Sequence, residues 1–531
     1  MLKINKLFFV LTISVIFSCN SEKSIYSNSV VSSPHPYASE AGKLIFSVGG
    51  NAFDAAVASA FTLAVVEPSM SGIGGRLQAI YMKSDGDISG VDAMTQIPES
   101  YKKSEGEEND SYGYKTIGIP GVVAGLLKLQ KDHGKLDLET VMKPAIYVAE
   151  NGFQILPGEI KRIEGEVEDF NDFEATKKYF LNPNGKPFKP GDKLIQKDLA
   201  NTLKQISKNG NAGFYEGEVA QKIVQDIQAN GGYVTLKDLK NYKALESDII
   251  SGDFNGYKIH SLNLPSFGAI TIQIMQIIDQ LEIQFEEDRA LKIAHAIEKA
   301  YEYRIYQNQP DSLKSILSKD RAKQIADKIN NQSFEISSND KSLDYSNSNT
   351  AHLTIADEFG NVVSITQTIG PIMGSKVVTD GLGFLYNVTM GPYLGGYLGE
   401  DKPGDRVSSH VSPTLFTQNG KLILAIGAAG GNKIPPAITQ VAYRFLKQKL
   451  DIGASISLPR VYKFNGPVQL ESHLGVNRFY INLYEDLYDV EKIPEKGKFG
   501  RVNAIAYDPK KNKWIGASDP DWEGSVSNYE Q

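Results

Sequence analysis

Two threonines, Thr350 and Thr368, bound the stretch TAHLTIADEFGNVVSITQT, which alternates like two β-strands around the turn signal Gly360-Asn361. A turn centred on Phe359 is equidistant from both, so it pairs Thr350 with Thr368. Directly opposed residues share a face, with Cβ atoms roughly 4.5–5.5 Å apart. Two hydroxyls side by side at the open end of a hairpin suit nucleophilic chemistry. A threonine hydroxyl is a weak nucleophile until a base takes its proton. The α-amine of the same residue can be that base when threonine begins a chain, and it titrates at about pH 8. Thr350 is internal, so this role requires a cut between Asn349 and Thr350. The polar run NNQSFEISSNDKSLDYSNSN ahead of it reads as an exposed loop, where chains are cut.

Acyl chemistry also needs donors for a developing oxyanion. In KLILAIGAAGGNKIPP a strand runs into Gly430-Gly431, where missing Cβ atoms let a carbonyl approach the backbone. Lys433 follows at the predicted start of a helix, whose N-terminus favours anions. A plain strand-to-helix turn has the same sequence. In RVSSHVSP, Ser408 and Ser409 offer hydroxyl donors, or cap a turn.

The elements that must position these groups are readable in outline. SEAGKLIFSVGG predicts a short helix from Ser39. NAFDAAVASAFTLAVVEP predicts a helix capped by Asn51 and ended by Pro68, with alanine on nearly every face and hence burial on nearly every side. LQAIYMKS and ISGVDAM alternate like strands. Residues 120–340 are mostly helical, and strands dominate from about 350, with one clear helix in PPAITQVAYRFLKQ. Helices layered on strands predict an α/β or α+β sandwich.

The 531 residues, 41% hydrophobic, suffice for a large core. Net charge is −7 with both signs mixed and no long basic run, which argues against nucleic acid as a partner. The seven histidines lack metal-ligand spacing, and no G-x-G-x-x-G, P-loop or H-E-x-x-H occurs, so neither a metal nor a cofactor is expected. Lys3 and Lys6 precede the apolar run Leu7–Phe17, which fits a signal peptide over residues 1–18. The one cysteine, Cys19, ends VIFSC, which resembles a bacterial lipobox. These features predict lipidation at Cys19, a flexible Ser/Asn-rich tether over residues 19–36, and a bacterial envelope location on a membrane.

Together the segments resemble the γ-glutamyltransferase (γ-glutamyltranspeptidase) family of N-terminal-nucleophile hydrolases, from about Tyr37 to Tyr529. GGNAFDAAVASAFTLAVVEPSMSGIGG looks like its N-terminal signature. IGIPGVVAGL, ISGDFNGYKIHSLNLPSFGAI, TAHLTIADEFGNVVSITQT, SSHVSPT, GAAGGNKI and GRVNAIAYDPKKNKWIGASDP follow in the family's order. The resemblance implies a four-layer αββα sandwich built from two subunits of one self-cleaved precursor, a large one (37–349) and a small one (350–531). It implies Thr350 as nucleophile, Thr368 as its hydrogen-bonding partner, Gly430 and Gly431 as the oxyanion hole, and Ser408 and Ser409 at the substrate's α-carboxylate end. The acyl donor would be a γ-glutamyl amide such as glutathione, and the acceptor an amine or water.

The chain departs from the pattern around the glutamyl group. Met94 stands where the family has an arginine for the α-carboxylate. Gly370, Thr389 and Pro392 stand where it has an asparagine, a glutamine and an aspartate, and the lid loop before Ser408 is short. Arg76 replaces a usual glycine, either as an exposed surface residue or with its guanidinium toward the pocket. The same chemistry on a non-glutamyl N-acyl or peptide substrate is one alternative, and an inactive surface binding protein on this scaffold is another.

Overall fold

Asn51 accepts hydrogen bonds from the N–H groups of Phe53 and Asp54, while Asp54 accepts from the Asn51 N–H. This capping box starts the helix Ala52–Val66, and all 15 of its residues are buried, as alanine on every face predicts. The computed structural model of the chain describes residues 25–103, 110–283, 286–331, 348–394, 402–472, 490–521 and 523–530. The predicted leader, Cys19, the polar run up to residue 347 and the lid segment 395–401 lie outside them.

Two seven-stranded antiparallel sheets face each other. In the first, Ser29–Ser33, Ser348–Ala356, Val362–Pro371, Arg76–Met82 and Ile88–Ala93 lie side by side. In the second, the central neighbours are Lys513–Ser518, Arg501–Asp508, Lys421–Ala429, Thr414–Gln418 and Tyr257–Leu262. Helices Pro36–Ser47 and Ala52–Val66 cover the outer face of the first sheet, and Gly268–Asp279 and Ile434–Leu446 that of the second. The apolar clusters follow the layering. One joins the first helices to their sheet, one joins the second helices to theirs, and a smaller one lies between the sheets around Val30, Ile80, Val362, Leu415 and Ile505. The chain is an αββα sandwich of the α+β class.

The tether ends earlier than its composition suggests. Ser29–Ser33 is a buried strand between Ser348–Ala356 and Ser525–Tyr529. Val30 and Val31 fill opposite faces, and the serines find partners inside: Ser32 donates to the Ala517 carbonyl at 2.7 Å. Serine-rich sequence reads as solvated when its hydroxyls can in fact be satisfied by a sheet.

Burial disfavours the charged form of His352 and holds it down to about 3. Burial also lowers His35, to about 4, against an opposing pull from Glu67. The unfolded chain, with histidines near 6.5, takes up protons first on acidification. Their contribution to stability is therefore complete above about pH 6.5 and is lost as pH falls toward 4, by up to about 1.4 kcal/mol per pH unit for each histidine. Urea midpoints should fall steadily from pH 6.5 to 4.5. His352→Gln should make that decline shallower, and an unchanged slope would contradict a neutral buried imidazole.

Candidate active site

The hairpin pairs in the predicted register from Ala356–Val362 to Ala351–Gln367. There the ladder slips. Asn349 pairs with Gly370, so Thr350 alone faces Thr368 and Ile369 across a bulge. The Thr368 hydroxyl oxygen accepts the Gly370 N–H at 2.9 Å. Gly370 has φ 101°, a conformation that favours glycine. Thr350 is 1% exposed, and the strand runs on ahead of it through Ser348 and Asn349, which pair with Pro371 and Gly370.

Arg501 holds the Thr350 backbone. Its Nη2 donates to the Thr350 carbonyl at 3.1 Å, and its Nη1 pairs with Glu67 Oε1 at 2.9 Å. Glu67 also pairs with Arg162 at 3.1 Å, and Arg162 with Glu159 at 2.7 Å. Glu159 accepts both the N–H and the hydroxyl of Ser69. Burial raises the Glu159 carboxyl above its ordinary range, against the pull of Arg162. For Arg162 burial opposes the charge, but the two carboxylates outweigh it and its pKa is raised. Neither Arg501 nor Glu67 had been assigned a role from sequence. A glutamate at the end of the apolar run AVVEP and an arginine opening the strand GRVNAIA were the available signals, since charged residues are rarely buried unless paired.

His352, two residues beyond Thr350, was also missed. Its Nδ1 lies 2.8 Å from the Thr366 hydroxyl and its Nε2 3.0 Å from that of Thr354. The ring lies against Gly427 of the facing sheet, where a Cβ would stand 2.2 Å from it. With both nitrogens engaged, this imidazole fills the space between the sheets.

Gly430 and Gly431 follow the strand Lys421–Ala429 and turn, with φ 132° and 56°, into the helix Ile434–Leu446. The turn packs against the strand that carries Thr350. A Cβ on Gly430 would meet Gly500 Cα at 2.8 Å, and Gly500 is held by Arg460, whose Nη1 donates to its carbonyl at 2.5 Å. Ser408 and Ser409 are half-buried, and the Ser409 N–H donates to the Pro265 carbonyl at 2.8 Å. The next residue, His410, stacks on Tyr301, whose hydroxyl donates to the Asn432 carbonyl at 2.5 Å. That relay ties the serine pair to the glycine turn.

The departing positions belong to the scaffold. Met94 is fully buried in the apolar cluster of the second sheet, and its carbonyl accepts from Tyr242 at 2.7 Å. The Thr389 hydroxyl is 2.7 Å from that of Thr95 and 2.5 Å from Asn387 Oδ1. Pro392 lies in the short turn Gly391–Tyr393. Arg76 is not a surface residue: it is 4% exposed. A cavity of about 350 Å³ lined by Glu358, Phe359 and Trp514 lies at the opposite, turn end of the hairpin. Thr350 lies six residues, roughly 20 Å, from Ala356 at the turn end of the strand Ser348–Ala356.

The family model described as Gamma-glutamyltranspeptidase matches residues 38–529. A glutathione hydrolase proenzyme of Pseudomonas sp. (strain A14) is 32% identical over 82% of this chain and 81% of its own. Acylase ACY 1 proenzyme of Pseudomonas sp. (strain V22) is 30% identical over 93% of this chain and 92% of its own. The crystal structure of cephalosporin acylase from Bacillus halodurans superposes with a TM-score of 0.86 at 24% identity, over 98% of this chain and all of that one.

Removing one partner of a buried ion pair costs about 3–5 kcal/mol. Arg501→Met and Glu67→Gln should each lower urea stability by that order. The double variant should cost less than the two together, because Glu67→Gln strands the Arg501 charge and Arg501→Met takes from Glu67 one of its two cations. Costs that add to within about 0.5 kcal/mol would show that the two residues are not coupled.

Proposed function

Since the chain belongs to the gamma-glutamyltranspeptidase family, as a glutathione-hydrolase-like enzyme, we propose that it cuts itself before Thr350 and then transfers acyl groups through that residue. The observation that carries this reading is the convergence on Thr350: the Thr368 hydroxyl opposite it, the Arg501 guanidinium on its carbonyl, and the Gly430-Gly431 turn packed against its strand.

In the precursor the Thr350 hydroxyl attacks the Asn349 carbonyl carbon. The C–N bond breaks, a C–O bond forms, and the Thr350 nitrogen takes the hydroxyl proton. One water hydrolyses the ester, leaving the Asn349 carboxylate and a free Thr350 α-amine. That amine then serves as base. It takes the hydroxyl proton as Thr350 Oγ attacks the amide carbonyl of a γ-glutamyl donor, and it passes the proton to the departing nitrogen. The backbone N–H groups of Gly430 and Gly431 stabilise the oxyanion. Water or an amine then takes the acyl group from Thr350. Thr368 supports the hydroxyl through one hydrogen bond, and Ser408 and Ser409 bind the far end of the acyl group. Departure of the segment ahead of Thr350 opens a residue that is 1% exposed in the uncut chain.

The purified protein should run as two bands under denaturing conditions, with the smaller one beginning T-A-H-L-T. Thr350→Ala should abolish both the cut and turnover. Thr368→Ala should slow them by about 2- to 13-fold, the worth of a neutral hydrogen bond of about 0.5–1.5 kcal/mol. An intact single chain with full activity would sink the mechanism.

For the place of the enzyme in the cell we propose a lipid anchor at Cys19, on the strength of the apolar run that ends there. No helix among the described residues is long and apolar enough to cross a membrane. The protein should sediment with membranes, and Cys19→Ala behind a substitute signal peptide should release it. Soluble, unlipidated wild-type protein would show the cysteine to be incidental.

A further inference from the structure

Arg76 opens the strand Arg76–Met82 and pairs directly with Thr368. Directly paired residues share a face, and here it is the face turned toward the second sheet. The next pair on that face, Gln78 and Thr366, borders His352, whose ring touches Gly427 of the facing sheet. Thr350, Thr368 and Arg76 thus stand in one row across three adjacent strands. The Cα atoms of the outer two are roughly 9–10 Å apart. The neighbouring ladder ends at Leu77–Ala93, and one further step in the same register brings Met94 beside Arg76.

The guanidinium is buried with almost nothing to hold it. Its hydrogen bond among the described residues runs from Nη1 to the Val388 carbonyl at 3.2 Å, and Nε is buried without an acceptor. No acidic side chain among the described residues pairs with it. The groups near enough to feel its charge are Tyr393 and His410, the latter adjoining Ser409. Burial lowers Arg76 only to about 10, so it is a cation at neutral pH. A buried charge without a counter-ion is costly, and a planar guanidinium with spare donors matches a carboxylate.

We propose that Arg76 binds the terminal carboxylate of the acyl donor, one strand nearer Thr350 than the place filled by Met94, and that the site makes no demand for an α-amino group. This rests on the acyl-transfer reading above. The second half follows from Gly370, Thr389 and Pro392, the three positions where the family resemblance implies ligands for an α-amino group. Gly370 has no side chain, Pro392 has no polar one, and the Thr389 hydroxyl is engaged by Thr95 and Asn387. The donors are then amides of short dicarboxylic acids. The γ-glutamyl group is one case, and the glutaryl group, which lacks only the amine, is another.

The test uses processed protein and the p-nitroanilides of γ-glutamyl, glutaryl and pentanoyl groups. Wild type should handle the two carboxylates within about tenfold of each other and favour both over pentanoyl by about a hundredfold. Arg76→Met should collapse that ratio, chiefly through KM, while still appearing as two bands, and Arg76→Lys should recover part of it. Glutarate should raise the Tm of processed wild type and not of Arg76→Met, which tests the site without turnover. Parallel loss on all three anilides, or an equal glutarate shift in both proteins, would make Arg76 structural and overturn the proposal. A γ-glutamyl preference over glutaryl of more than about a hundredfold would overturn its second half. Failure of the wild type to process would count against the Thr350 reading, whereas a processed enzyme with an unmoved ratio in Arg76→Met would count against Arg76 alone.

Discussion

Arg501 joins two partners that the sequence keeps far apart, the Glu67 carboxylate and the Thr350 carbonyl. A buried ion pair is tolerated only when its remaining donors and acceptors are also met, and here the spare guanidinium nitrogen is met by the backbone of the threonine. The direction of that carbonyl sets the direction of the strand end, and with it the Thr350 side chain. The loop after Glu67 steadies the other half of the hairpin. The Ser69 carbonyl accepts the Met373 N–H at 2.8 Å, and the Met70 carbonyl accepts that of Ile369 at 3.4 Å. Both strands at the open end are therefore referred to the C-terminal end of one fully buried helix. Loss of Arg501 or Glu67 would loosen the row of groups as a whole.

The space between the sheets changes character along the hairpin. Near the turn it holds Val30, Ile80, Met82, Ala356 and Val362. Toward the open end the same face carries Thr354, His352 and Thr350 on one strand, and Ser364, Thr366 and Thr368 on the next. The apolar end supplies the burial that holds the sheets together. The polar end needs every hydroxyl partnered, and His352 meets much of that need by bridging Thr354 and Thr366. A row of hydroxyls would otherwise be a poor filling for a sandwich, and the site occupies the part of the interface that the apolar core does not reach.

The hairpin was legible because a turn signal and strict alternation fix which residues oppose each other. The bulge at Thr350 was not, since one extra residue at a strand end leaves no mark in an alternating pattern. The helix Ala52–Val66 was legible from its alanines, and the glycine turn from its place between a strand and a helix. Arg501 with Glu67, and Arg460 with Asp519, could not be paired from sequence because nothing local links residues so far apart. Ser29–Ser33 was hidden by its composition. For Arg76 the sequence left a surface and a pocket reading open. Alternation says that a strand residue points to one face or the other, but not whether that face is solvent or the gap between two sheets.

Met94 and Arg76 are best understood as one change. Arg76 opens the strand beside Thr368, and Met94 follows the end of the next strand out; the positive charge sits on the inner strand while Met94 lies in the apolar core. A strand spacing is about 4.8 Å, so a cation at Arg76 stands nearer Thr350 by that order than one at position 94 would. On the proposed acyl-transfer reading, a cation on the inner strand would set an upper bound on the acyl group, since a carboxylate would have to meet the guanidinium while its carbonyl carbon reached the Thr350 hydroxyl. It would also remove the reason for a ring of groups farther out, and the Thr389 hydroxyl bonds Thr95 and Asn387 within the scaffold. On that reading the altered shell is a shorter site rather than a damaged one, which would account for a chain that keeps its threonines, its glycine pair and its buried charge.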